Sequence, residues 1–124
     1  MAKILLVDDD ADFVQMMRSR LEVNGYKVIT ASNGLEGLEK AKEILPDLIL
    51  LNVMMPELSG VTTALRLKEI KELKSIPVII VTGIKEAETT LLIEHIQVSD
   101  YIIKPFKPED LLVKIKNILK EKKE

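Results

Sequence analysis

Short unbroken apolar runs alternate along this chain with longer stretches in which apolar residues recur every three or four positions. The runs are Lys3–Val7, Lys27–Ala31, Leu48–Asn52, Val78–Thr82 and Tyr101–Ile103. Most are continuous Ile, Leu and Val rather than alternating with polar residues, which predicts parallel strands covered on both faces. Between them the period lengthens to that of a helix. Phe13, Met16, Met17 and Leu21 form one stripe, stopped by Gly25. Ser32 or Asn33 can cap a second helix with Leu35, Leu38, Ala41 and Leu45 inward, and Pro46 breaks it. A third helix from about Val61 offers Ala64, Leu65 and Ile70, and Pro77 opens the next strand. A weaker fourth covers Glu88–Ile96. The fifth opens on Pro108-Glu109-Asp110, carries Leu111, Leu112, Ile115, Ile118 and Leu119 inward, and ends in lysines that suit the negative end of the helix dipole.

Five strands alternating with five helices predict an α/β fold with a doubly wound parallel sheet. Right-handed crossovers leave two realistic strand orders. For five units the flavodoxin-like order 2-1-3-4-5 is expected over a Rossmann half. Ligands then bind at the carboxyl ends of the strands, beside the first and third. With 124 residues, 47% of them apolar, a single domain over residues 1–124 with a sizeable core is expected.

Composition narrows the chemistry. The absence of cysteine excludes thiolate nucleophiles and Cys-based zinc sites. A formal charge of −2 with both signs interspersed gives no footprint for nucleic acid or an anionic membrane. The apolar runs are too short to span a bilayer, and the first leads straight into Asp8, so it does not read as a signal peptide. A cytoplasmic protein is expected.

The residues at the carboxyl ends of the strands carry the chemistry. They are Asp8, Asp9 and Asp10 after the first, Asn52 after the third, Thr82 after the fourth and Lys104 after the fifth. Acidic oxygens, a carboxamide, a hydroxyl and an ammonium converging on one edge suit a divalent cation and a phosphoryl group. Leu5-Leu6-Val7-Asp8-Asp9, Met54-Met55-Pro56 with Gly60, Val81-Thr82, and Asp100-Tyr101 through Lys104-Pro105-Phe106 closely resemble response-regulator receiver domains. The resemblance runs in order over essentially the whole chain. It implies a phosphoacceptor aspartate at the position of Asn52, served by a histidine kinase or phosphotransfer protein. It implies Mg²⁺ held by Asp8, Asp9, the residue at 52 and the backbone carbonyl of Met54. Thr82 and Lys104 match the groups on the phosphoryl oxygens, Thr82 and Tyr101 the switch pair, and Lys104-Pro105 a cis peptide. A downstream target protein would dock on the face of the fourth helix, fifth strand and fifth helix, around Ile96, Tyr101 and Lys107.

Asn52 departs from that pattern at the acceptor itself. A carboxamide oxygen is a poor nucleophile, so no acyl phosphate is expected, and as a neutral ligand it weakens Mg²⁺. Tyr101 is expected to be turned outward or mobile, the state that the resemblance associates with no phosphate. Two readings stay open: a receiver that lost its acceptor by an engineered or natural change, and a natural phosphate-independent module for protein–protein interaction. Neither is an enzyme.

The same residues admit blander readings. Asp8–Asp12 imitates a calcium loop, but Phe13 occupies the glycine position and Ser19 that of the bidentate Glu. Asp10 or Asp12 can simply cap a helix. His95 sits in the weak fourth helix, away from the strand ends. A haloacid-dehalogenase-type phosphatase would need Asp10 and Asp12 as its motif, displaced from the strand. A flavodoxin would need a phosphate loop that is not triply acidic.

Overall fold

A computed structural model describes residues 1–53, 59–83, 94 and 98–123. The elements run β1 Lys3–Val7, α1 Ala11–Val23, β2 Lys27–Ala31, α2 Gly34–Ile44, β3 Leu48–Asn52, α3 Gly60–Glu69, β4 Val78–Thr82, β5 Asp100–Ile103 and α4 Pro108–Lys123. The segment expected as a helix over Glu88–Ile96 lies outside the described residues except for Glu94, which is helical. The strands form one parallel sheet in the order β2-β1-β3-β4-β5. This is the flavodoxin-like order expected from the alternation. Strand β5 begins at Asp100, one residue earlier than the apolar run suggests.

The unbroken apolar strands are explained by the two layers that cover them. Leu5, Val7, Ile49, Leu51, Val78 and Ile80 point into one layer, with Leu38 and Ala41 of α2 and Ala64 and Leu67 of α3. Ile4, Leu6, Leu48, Leu50, Ile79, Val81 and Ile102 point into the other, with Met17 and Leu21 of α1 and Leu111, Ile115 and Leu119 of α4. Every residue of β3 and β4 is buried, so neither face of the sheet centre can tolerate a charge.

Helix ends follow local chemistry. Asp10 caps α1 by accepting from the Phe13 N–H, Asn33 caps α2 by accepting from Glu36, and Ser59 caps α3 by accepting from Thr62. Three apolar positions expected inside are exposed: Met16, Leu35 and Leu45. In α2 the inward stripe is Gly34, Gly37, Leu38 and Ala41. The helix lies so close to β1 that a Cβ on Gly37 would sit 3.0 Å from a methyl of Val7. Leu35 is thereby rotated outward, and Leu45 is the C-cap in the left-handed conformation, beyond the last helical turn.

Candidate functional site

Sheet register brings the polar residues together. Val7 pairs with Leu51, Asn52 with Val81, and Thr82 with Ile103. Asp8 and Lys104 each follow the last residue of a strand, so four strands deliver side chains to one edge. The Asp8 N–H donates to the Ala31 carbonyl at 3.0 Å, which extends the β1–β2 ladder by one residue. The Lys104 N–H donates to the Thr82 carbonyl at 2.6 Å and does the same for β4 and β5.

Asp8 is the hub. Its carboxylate is almost fully buried, at 2% exposure, where an ionised group must be compensated. Oδ2 accepts from Lys104 Nζ at 3.0 Å. Oδ1 accepts from the Asp10 N–H at 2.9 Å and from Asn52 Nδ2 at 3.2 Å. The same Asn52 nitrogen donates to Asp9 Oδ1 at 3.3 Å. Asn52 is itself buried, and Asp9 stands at the exposed rim. Thr82 is fully buried on the adjoining strand.

Lys104 has a second neighbour that its sequence position did not announce. Its Nζ lies 4.0 Å from the ring centroid of Phe13, and Phe13 meets Phe106 edge-on at 6.0 Å. Phe13 reads in the sequence as one more member of the α1 stripe. Its ring instead supplies an apolar, electron-rich wall that holds the ammonium toward Asp8. The signal was its spacing: three residues past Asp10, in the first turn of the helix that starts beside the acids. The Lys104–Pro105 peptide is cis.

Outside the acidic corner, a cleft of about 540 Å³ is lined by Asp8, Asp9, Val14, Arg18, Ser32 and Glu36, among others. The Lys40 ammonium, hydrogen-bonded to Glu36, lowers that carboxyl below its ordinary value. Tyr101 is part-buried rather than turned fully outward. Its ring packs against the α2–α3 layer with Lys114 Nζ 6.0 Å from its centroid, because the apolar body of a tyrosine gains by covering that layer. Lys114 also pairs with Asp100 at 3.1 Å. Met54, His95 and Ile96 lie outside the described residues.

A doubly wound sheet with an acidic pair, a buried position-52 residue and a lysine at its carboxyl edge defines a signalling receiver. The chain belongs to the response regulator receiver domain family, whose model matches residues 4–116. It is 41% identical over 120 residues to the transcriptional regulatory protein CpxR homolog of Haemophilus influenzae, covering 97% of this chain and 51% of that protein. It is 39% identical over 118 residues to the alkaline phosphatase synthesis transcriptional regulatory protein PhoP of Bacillus subtilis, covering 95% and 48%. The chain thus spans about half the length of the curated relatives it matches. Among solved structures it superposes on a response regulator receiver domain protein from Clostridium thermocellum at 33% identity and a TM-score of 0.90, covering 99% of this chain and 98% of that one. The chemotaxis protein CheY4 of Vibrio cholerae matches at 31% and 0.89, covering 95% and 98%.

Receiver domains are two-component signalling modules that generally bind Mg²⁺ at the acceptor site. The carboxylates of Asp8 and Asp9 suit a hard cation, but the group between them does not in its present orientation. Asn52 faces them with its nitrogen, and an N–H cannot ligate a cation. Among the described residues no cluster of three acidic, His or Cys side chains forms a metal site. None of the described helices is long and apolar enough to cross a membrane.

Proposed function

We propose that this receiver cannot take phosphate on residue 52 and that the rest of its phosphoryl-handling edge is intact. The observation that carries this is Asn52 itself, buried at the end of β3 within hydrogen-bonding distance of Asp8 and Asp9. A carboxylate there would attack the phosphorus of a phosphodonor and displace the donor's leaving group, with Lys104 neutralising and Thr82 hydrogen-bonding the oxygens of the transferring group. The carboxamide has no anionic oxygen to offer. Mg²⁺ at Asp8, Asp9, position 52 and the Met54 carbonyl is correspondingly weakened. The chain acts as one signalling domain rather than an enzyme, in the cytoplasm, without direct contact to nucleic acid or membrane. Its upstream partner is a histidine kinase or phosphotransfer protein. Its downstream target docks beside Tyr101, along β5, α4 and the segment before β5.

A second reading is favoured by the part-buried Tyr101 and the Lys114–Asp100 pair, which fasten the ring and the start of β5 to α4 through groups that are not part of the acidic edge. The chain would then be a phosphate-independent interaction module. One experiment separates them. With Mg²⁺ and acetyl phosphate, intact-mass spectrometry should find no phosphoryl gain on this chain and one on Asn52→Asp. Phosphorylation of the Asn52 form would place the acceptor elsewhere and defeat the proposal. An unreactive Asn52→Asp variant would mean that the edge no longer handles phosphate, and the interaction module would stand.

A further inference from the structure

We infer that the Asn52 side-chain amide takes the place of the cation between Asp8 and Asp9, so that this corner is tied without metal and Mg²⁺ has to displace the amide to enter. The inference rests on the reading of this edge as the family's cation site. It goes beyond a weaker ligand, because the amide here is a competitor.

The hydrogen count fixes its orientation. A carboxamide nitrogen carries two hydrogens, and two anionic oxygens lie at 3.2 Å and 3.3 Å from it. Turning the amide over would set its oxygen against both carboxylates with no proton between them. The acids therefore hold the nitrogen toward themselves. Both contacts are at the long end for N–H···O bonds, but each acceptor is charged, which strengthens it. Asp8 is already supplied by Lys104 at 3.0 Å and by the Asp10 N–H at 2.9 Å. With Asp8 and Asp9 at −1 each and Lys104 at +1, the corner carries a formal −1. An aspartate at position 52 would raise this to −2 and replace two donors by two acceptors. Such a corner needs a cation to hold together, whereas the asparagine corner does not. Mg²⁺ sheds its water reluctantly and demands near-octahedral oxygens, so it competes poorly with an amide already in place.

The test uses thermal unfolding in EDTA and in Mg²⁺ at matched ionic strength, with the side-chain amide signals of Asn52 followed by ¹⁵N NMR. Three proteins are compared: this chain, Asn52→Asp and Asn52→Ala. This chain should keep its Tm within about 1 °C on adding Mg²⁺, against the shift of about 5 °C that a site at ten times its Kd produces in a domain of this size. Its Asn52 amide signals should not move. Asn52→Asp should melt lowest in EDTA and rise by that full amount. Asn52→Ala, which removes the tie without adding charge, should melt below this chain in EDTA. A Mg²⁺-dependent rise in this chain equal to that of Asn52→Asp would overturn the inference, as would Asn52→Ala melting level with it. Indifference of Asn52→Asp to Mg²⁺ would overturn the cation-site reading beneath it. None of these arms contains a phosphodonor, so the phosphorylation experiment can fail while they succeed.

Discussion

Asp8 is the residue on which the acidic edge depends, because a carboxylate that buried survives only while its donors do. Among the described residues Lys104 is the cation paired with it, at 3.0 Å, and the Phe13 ring keeps that charge in place. Replacing Lys104 by Met retains most of its packing and removes the charge. Loss of one partner of a buried pair typically costs 3–5 kcal/mol. Lys104 is a quarter exposed, and Asp8 keeps the Asn52 and Asp10 donors, so a loss of roughly 2–3 kcal/mol is expected for Lys104→Met by urea denaturation. Adding Asp8→Asn should recover much of it, because the stranded charge is then gone. Single residues were only half legible in the sequence. Asp8, Asp9, Asn52 and Lys104 could be placed at one edge because each ends or follows an apolar run. The bond from Asn52 to both acids could not be read, since it depends on which end of an amide turns inward. The role of Phe13 was hidden because an aromatic ring in a helical stripe reads as core.

At the scale of elements, strand cores and helix starts were legible, because burial on both faces and side-chain caps leave local marks. Inward helix faces were less so. At α2, Leu35 and the C-cap Leu45 fit the period, yet two glycines share the inner face with Leu38 and Ala41, and Leu35 and Leu45 stand in solvent. Apolar periodicity cannot register a contact made by the absence of a side chain. Gly60, the first residue of α3, is the sharper case. A Cβ there would lie 2.2 Å from the Asn52 carbonyl oxygen and 2.3 Å from Val53 Cα, both backbone atoms that cannot swing away. Its N–H donates to the Val53 carbonyl at 3.1 Å, so the start of α3 is fastened to the end of β3. Gly60→Ala must push the two apart. Overpacking of this kind costs about 1–3 kcal/mol or more, and a Tm lower by roughly 5 °C or more is expected. The displaced strand end should also move the Asn52 side-chain amide signals. Ser59→Gly, which weakens only the cap, should lower the Tm far less and leave those signals in place.

Across the whole molecule, the alternation of strands and helices narrowed the strand order to two, and the count of five units selected the one observed. That order has a further consequence for which parts of the fold open first. Strand β1, although it begins the chain, lies inside the sheet between β2 and β3, with Ile4 to Val7 at 1% exposure or less. Strands β2 and β5 form the edges and are only partly buried. Water reaches a β1 amide only after a neighbouring strand has peeled away on one side and a helical layer has lifted. In deuterium exchange, the amides of Ile4–Val7 and Ile49–Leu51 should therefore be the last to exchange, at the rate of global unfolding, while those of β5 exchange through smaller openings. The docking face proposed for a target is built on that outermost strand. The acid pair follows β1, inside the sheet, yet Lys104 directly after β5 holds Asp8 at 3.0 Å, so a partner that loosens the edge strand also reaches the acidic corner.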